Sequence, residues 1–388
     1  MNDQRPDVAP LFTSLFHRRP QWLAAAPGRV NIIGEHVDYC AGIVLPMAID
    51  RATSIAAATR DPGSGPPTAR IHAVLKNETV EIPLVARGEP RPGGWAAYAA
   101  GVLAGFRERG VEVPAFDAVV DSTVPLGGGL SSSASLEVAL AVVVAALAEH
   151  PIPPLDLTLL CQRAEHEFAG VPCGIMDQAA VALAEADHLL LLDCRSLKIE
   201  HVPFAAADLC VVIADSTVRH SLGDGDYARR RADCDRAAEL LGVAALRDAG
   251  LDQVEAGRRR LGETGFRRAR HVVTEIVRTR AAAAAIAAGR WGEVGTLMAG
   301  SHASLRDDFE VSCRELDLLV ELAVAQPGVI GSRMTGGGFG GCTVSIVETA
   351  RVPEVTAAVA RGYERATGRR CPMFSSRPAG GAAAWRAT

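Results

Sequence analysis

Residues 125–135, PLGGGLSSSAS, constrain this chain more than any other stretch. They follow an apolar, alternating run at 116–124 that reads as a strand, and they precede an apolar run of helical length at 136–148. Three glycines and four serine hydroxyls therefore stand where a strand ends and a helix begins. That junction suits an anion. Glycine lets backbone N–H groups come close, and the helix N-terminus leaves orphan donors in a favourable dipole. A nucleotide phosphate is the expected ligand. The competing reading is a flexible Gly/Ser linker, which the tight flanking by strand and helix disfavours.

The missing motifs matter as much. The common phosphate loop needs G-x-x-x-x-G-K-[ST], yet the chain has only two lysines, Lys76 and Lys198, and neither follows a glycine. There is no HRD or DFG set either. Backbone amides, a metal ion and arginines must meet the phosphate charge. A second glycine-rich segment, residues 331–342, reads GSRMTGGGFGGC and leads into an alternating strand at 342–347. Six glycines in these twelve residues, ahead of a well-formed strand, do not resemble a linker. The two glycine turns could meet around one ligand, or the second could be only a tightly packed bulge.

With 388 residues the chain can hold two domains and a sizeable core. Its net charge of -5 implies no general attraction to nucleic acid or anionic lipid. The arginine clusters at 229–231, 258–260 and 267–268 have acidic neighbours and read as solvated helix faces. Nine scattered cysteines without a C-x-x-C pair argue against a disulfide framework and a structural zinc site. No signal pattern precedes the first elements, and the longest apolar stretch, 138–148, is too short for a bilayer, which needs roughly 20 residues. A soluble, cytoplasmic protein is expected.

Along the chain, residues 1–22 read as a lead-in with a short helix, and 22–50 as turn-rich and polar. A hairpin is expected at 71–84, and strands at 189–193 and 209–215. Helices are expected at 155–168, 227–241, 267–288, 314–326 and 355–367. Strands and helices interleave without a regular βαβ repeat, which favours α+β layers.

Residues 27–46, PGRVNIIGEHVDYCAGIVLP, crowd Arg29, Asn31, Glu35, His36 and Asp38 beside apolar Ile32 and Ile33. The pattern suits a polyol pocket, in which carboxylates accept from hydroxyls and arginine and histidine donate back. A metal site at Glu35, His36 and Asp38, or a structural knot of ion pairs, would use the same residues. Asp177 in GIMDQ and Glu165 on a predicted helix are further candidates, the latter within reach of Mg²⁺, which favours a carboxylate, a hydroxyl and phosphate oxygens.

Together, PGRVNIIGEHVDY, PLGGGLSSSAS, CGIMDQ, LLDCRSL, RHSL, SLRDDFEVSCRELD and GSRMTGGGFGGC resemble the galactokinase branch of the small-molecule kinases, over nearly the whole chain. The resemblance implies an N-terminal α+β domain like that of a ribosomal protein (residues 1–205) and a ferredoxin-like C-terminal domain (206–388), with the active site between them. It also implies ATP-dependent phosphorylation of the C1 hydroxyl of D-galactose by a cytoplasmic monomer. Glu35, His36, Asp38, Gly174 and Tyr227 would hold the sugar. Asp177 would be the acid-base residue, with Arg29 paired to it and facing the phosphoryl group. Gly127, Gly128, Gly129, Leu130, Ser131, Ser132 and Ser133 would cradle the nucleotide phosphates, and Ser133 with Glu165 would hold Mg²⁺. One departure stands out. The family wording Thr-Asp-Tyr-Asn is Val37-Asp38-Tyr39-Cys40 here, nearer to N-acetylgalactosamine kinases. That kinase is one alternative. A non-catalytic galactose and ATP sensor is another, although such sensors lack part of the Ser-Ala run that is complete here.

Overall fold

Alternation in one long strand organises the first half of the molecule. Pro46–Thr59 sends Ile55 and Ala57 to one side and Ala56 and Ala58 to the other, so the sheet around it carries a core on each face. The computed structural model describes residues 5–61, 63, 65–84, 92–219 and 225–388. Its largest sheet runs in the order Ala383–Arg386, Trp22–Asn31, Pro46–Thr59, Phe116–Ser122, Thr68–Ala73, Glu78–Pro83. Neighbours are antiparallel except Thr68–Ala73 with Phe116–Ser122. Helices Trp95–Glu108, Ser132–Leu147 and Pro154–Ala164 fill the main core. Helix Ala9–Phe16 covers the other face with Phe12.

The second half repeats the two-sided plan. Strands Val329–Thr335, Cys342–Glu348, Leu209–Asp215 and Met373–Ser376 form an antiparallel sheet in that order. Val211, Ile213, Val344 and Ile346 face helices Arg258–Ala287 and Trp291–Asp307. Cys210, Val212 and Val347 face helices Arg314–Val324 and Val352–Thr367. A small sheet of Ile43–Val44, His188–Asp193 and Ile199–Pro203 lies beside the sugar signature. Among the described residues no helix is long and apolar enough to cross a membrane.

The α+β layering, the hairpin near 71–84 and the strand at 209–215 match the sequence reading. Three points differ. Residues 22–50 hold a ten-residue strand, Trp22–Asn31, instead of a string of turns. Its alanines, Pro27 and Gly28 carry little strand propensity, but pairing along strand Pro46–Thr59, and with strand Ala383–Arg386 at residues 22–25, overrides that preference. Helices Trp95–Glu108, Met176–Leu183 and Trp291–Asp307 were not expected. The first is rich in Ala and Gly because it packs very close: a methyl at Gly101 would lie 2.7 Å from Ala164 Cβ. The last strand, which the sequence division assigns to residues 206–388, is an edge of the first sheet.

Candidate active site

Arg29 sits near the end of strand Trp22–Asn31, just past a bulge between Pro27 and Arg29. From there its guanidinium grips Asp177, the second residue of helix Met176–Leu183. Nε donates to Oδ1 at 2.8 Å and Nη2 to Oδ2 at 2.7 Å. Nη1 donates to the Gly129 carbonyl at 2.5 Å, so the same side chain touches the phosphate loop. Arg29 is almost wholly buried, yet the charges of Asp177 and Glu35 outweigh the desolvation and hold it more firmly protonated than usual.

Ser131 explains how the phosphate loop joins this pair. Its backbone is left-handed (φ 57°), and helix Ser132–Leu147 starts directly after it, four residues earlier than the sequence pattern indicates. A serine at this position often caps its helix. Here the hydroxyl donates to Asp177 Oδ2 at 2.5 Å, and the helix has no side-chain cap. The first-turn N–H groups therefore face the cleft, and the dipole favours an anion there.

The two glycine turns do meet. Gly336 (φ 83°) lies so close to the phosphate loop that a methyl on it would fall 2.9 Å from the Gly129 carbonyl oxygen. The late turn is shorter than its sequence suggests, because residues 331–335 belong to strand Val329–Thr335 and only 336–341 form the turn. Gly331 is needed inside the strand because the Gly295 backbone presses against it.

At the other end, Glu35 is buried and ties the sugar signature to the late turn. It accepts from Asn31 Nδ2 at 2.6 Å, Thr335 Oγ1 at 2.9 Å and the Gly336 N–H at 2.6 Å. His36 is left-handed (φ 59°), with Nδ1 at 2.8 Å from the Tyr39 hydroxyl and Nε2 at 3.2 Å from the Gly337 carbonyl. Burial, aided by His271, Arg230 and Arg333, pulls its pKa down to about 3, so the ring is neutral. It stacks among Tyr39, Tyr227 and Phe309, with centroids 4.9–5.9 Å away. Asp38 is pushed up to about 7 by burial and by the nearby Asp177 charge. Gly174 makes room for it: a methyl there would sit 1.7 Å from Asp38 Oδ2.

Glu165 begins a π-turn after helix Pro154–Ala164, and Ser133 Oγ donates to its Oε1 at 3.1 Å. Burial first, and then the charge of Asp177, raise Glu165 to about 7.

One cleft of about 460 Å³ collects Arg29, Glu35, His36, Asp38, Gly127, Gly129, Leu130, Ser131, Ser132, Ser133, Glu165, Gly174, Asp177 and Tyr227. Of the expected site residues, Gly128 alone does not line it. It turns back against the start of the strand at Cys342, whose Sγ would be 3.5 Å from a methyl there. Of the quoted RHSL motif, His220, Ser221 and Leu222 lie outside the described residues.

Val37 and Cys40, the departures from family wording, also turn away. Both are buried in a core with Ile43, Phe309 and Met334, and neither lines the cleft. Neither side chain reaches the cleft, because the short helical turn 38–40 leaves Asp38 lining it and buries Cys40 in that core. The arginine clusters are mixed. Arg229 and Arg258 pair on the surface with Asp226 and Glu263, but Arg268 is buried on Asp308, Glu310 and Asp233.

Sequence reasoning overlooked the supports behind the site. Glu275 and His271, one turn apart on helix Arg258–Ala287, hold the signature loop from behind. Glu275 Oε1 accepts the Gly34 N–H at 3.0 Å, and His271 Nε2 lies 3.1 Å from the Glu35 carbonyl. Arg333 donates to the Asn31 and Ile32 carbonyls. A signal was present for Glu275, an acid on the same apolar stripe as Val272 and Ile276.

A neutral histidine, a polar pocket, an arginine-clamped carboxylate and a helix-start anion site now lie in one cleft. Comparison with known proteins agrees. Residues 10–59 match the galactokinase galactose-binding signature, 97–185 the GHMP kinase N-terminal domain and 282–365 the GHMP kinase C-terminal domain. The galactokinase of Bos taurus is 47% identical over 91% of this chain and 90% of its own length. That of Chloroflexus aurantiacus is 45% identical over 95% of each. The solved galactokinase of Lactococcus lactis, in complex with galactose, superposes with a TM-score of 0.92 at 33% identity, covering 97% of this chain and 98% of the other. Mevalonate kinase from Methanococcus jannaschii shares the fold at a TM-score of 0.65 and 17% identity, over 92% of this chain and 98% of its own. Agreement at this level over more than nine-tenths of the chain, and not only at the glycine loops, makes this chain a member of the galactokinase family of GHMP kinases.

Proposed function

We propose that this protein transfers the terminal phosphoryl group of ATP to the C1 hydroxyl of D-galactose, giving α-D-galactose 1-phosphate and ADP. The observation that carries this reading is the Arg29–Asp177 clamp, which touches the phosphate loop through Gly129 and Ser131 and opens into the cleft of Asp38, Gly174 and Tyr227. Phosphoryl transfer needs mainly positioning and charge stabilisation. The C1 oxygen forms the new bond to the terminal phosphorus as the bond to the ADP oxygen breaks, and Asp177 takes the hydroxyl proton. Arg29 keeps Asp177 in place and offsets charge on the moving phosphoryl group. Asp38 and His36 face the sugar hydroxyls, while Glu35 fastens their loop to the late glycine turn. The first-turn amides of helix Ser132–Leu147 receive the nucleotide phosphates.

The oxygen donors around Ser133 and Glu165 suit a hard divalent cation. Behind them, outside the cleft lining, Glu137 Oε1 and Gln178 Oε1 are buried without partners. Among the described residues no set of three or more His, Cys, Asp or Glu side chains gathers to hold a metal, so the nucleotide phosphates would complete the shell. Ser133 and Glu165 would hold Mg²⁺, which when bound neutralises phosphate charge. We place the unit boundary at 205–206, with 383–386 returning to the first unit. Nine cysteines free of disulfides support the cytoplasm, and a cleft built from one chain is compatible with a monomer.

The test is ADP release from Mg²⁺, ATP and galactose, with the product anomer read by NMR. We expect α-galactose 1-phosphate and a higher kcat/KM for galactose than for N-acetylgalactosamine. No ADP above the sugar-free rate would overturn the assignment, and a reversed preference would move the protein to the N-acetyl sugar.

A further inference from the structure

Gln178 follows Asp177 on the short helix Met176–Leu183, so its side chain leaves the helix about 100° away from the clamp. It is completely buried. Its Nε2 donates to Glu165 Oε2 at 2.6 Å and to Glu137 Oε2 at 3.2 Å. One amide group thus spans two carboxylates from different helical segments. The Glu165 oxygen it engages is not the one that receives the Ser133 hydroxyl, which is Oε1.

Glu137 lies on helix Ser132–Leu147, whose other buried residues are alanine, valine and leucine apart from Ser135, and that hydroxyl is bonded to Ala26 and Thr53. It is also completely buried, and its Oε1 has no partner. Removing a carboxylate from water without pairing it is costly. A leucine would fit such a helix at lower cost, so a purely structural role does not account for the acid.

We propose that Gln178, itself steered by Glu137, is a positioning residue that fixes the rotation of the Glu165 carboxylate and so presents Oε1 and the Ser133 hydroxyl together to the cation of the bound nucleotide. This rests on the reading of Ser133 and Glu165 as the cation pair. Without the amide, the Glu165 carboxylate can rotate and lose its alignment with Ser133. Outer-shell partners of this kind typically change metal affinity by about 10–100-fold. The arrangement also links base and cation ligand mechanically, since adjacent residues of one helix hold Asp177 in the clamp and Glu165 through Gln178.

The experiment measures binding of a non-hydrolysable ATP analogue by calorimetry, with and without Mg²⁺, on wild type, Gln178→Leu, Glu137→Gln and Glu165→Gln. Galactose affinity without nucleotide and thermal unfolding are read on the same samples. We expect Gln178→Leu to reduce the Mg²⁺-dependent gain in analogue affinity about 10-fold or more. Glu137→Gln should reduce it less, and galactose affinity should stay within about 2-fold of wild type in both. Loss of the Mg²⁺ gain in Glu165→Gln, with the gain intact in Gln178→Leu, would overturn the positioning role while leaving the cation pair standing. An intact gain in Glu165→Gln would overturn the cation pair itself. Should Gln178→Leu not fold, Glu137→Gln decides: an unchanged Mg²⁺ gain there overturns the proposal.

Discussion

Glu275 behind the sugar end and Glu137 behind the phosphate end are both fully buried carboxylates, and their surroundings are opposite. Glu275 accepts from the Gly34 N–H, from Ser301 at 2.5 Å and from Arg278 at 2.8 Å. Burial alone would raise its pKa, but the charges of Arg278, His271 and Arg333 win and pull it down to about 2. Glu137 receives a single 3.2 Å bond from Gln178, and burial with the charge of Glu165 pushes it well above the usual range. Behind the sugar end both Glu275 oxygens are paired and the unpartnered buried atoms are donors, Arg278 Nη2 and Arg333 Nη2, so the carboxylate there is held in fixed geometry before any ligand arrives. The phosphate end keeps unused acceptors and open helix-start donors, which suits a ligand that brings its own anion and counter-ion.

Replacing Asp177 tests the junction of the two ends and should have the largest effect. Asp177→Asn keeps the shape but removes the proton acceptor and the partner of Arg29. We expect turnover to fall by about 10²–10⁴-fold or more, with galactose and nucleotide still bound and the unfolding temperature lowered, because buried Arg29 loses its charge partner. Near-normal kcat in a folded variant would remove Asp177 from the chemistry.

Swapping each buried glutamate for leucine sharpens the contrast. Glu275→Leu strands Arg278 and the Gly34 N–H and should cost about 3–5 kcal/mol of stability, as loss of one partner of a buried pair does. Glu137→Leu strands no charge and should stay within about 1 kcal/mol of wild type. Chemical denaturation of both variants checks this, and equal losses would dissolve the distinction. The pH dependence follows the same end. His271 falls from 6.5 to about 4, mainly through burial, and Glu275 from 4.5 to about 2. In each window the unfolded chain binds more protons, so stability rises with pH. The contribution of these two groups should be fully present above 6.5, decline toward 4 as His271 is forced to charge, and decline further between 4.5 and 2 as Glu275 is neutralised, whereas Asp38 and Glu165, raised to about 7, act in the opposite sense up to that pH. In Glu275→Leu the acid portion of that decline should flatten when unfolding temperature is followed against pH.

The smallest effect on catalysis is expected at Val37, a departure from the family wording that lies away from the cleft. Val37→Thr restores a family residue at a position inside the core. It should lower stability slightly, because a hydroxyl is buried. The ratio of kcat/KM for galactose over N-acetylgalactosamine should change less than about 3-fold, since discrimination from such contacts scales with groups that reach the substrate. A larger shift would mean that position 37 does reach the sugar.

The strand–glycine–helix junction, the polar signature and the late glycine turn were all legible because each depends on local rules: glycine at close backbone approaches, hydroxyls at a helix start, alternation before and after. Arg29, Glu35, His36 and Asp38 stood out as a polar cluster, but the roles proposed for Asp177, Arg29, Glu165, Gly174 and Tyr227 came only from the family resemblance. The sequence did not disclose that Trp22–Asn31 is a strand, since its alanines and Pro27 favour that state only once strand Pro46–Thr59 pairs with them. Nor did it show that Ser131 gives up capping to hold Asp177, that Val37 and Cys40 face the core, or that Gln178 bridges two acids. Those outcomes join residues from 13 to more than 40 positions apart, and side-chain direction there is set by which surfaces pack. Local pattern decided what kind of chemistry the chain carries. Tertiary packing decided which atoms are already spent on the protein and which are left for the ligands.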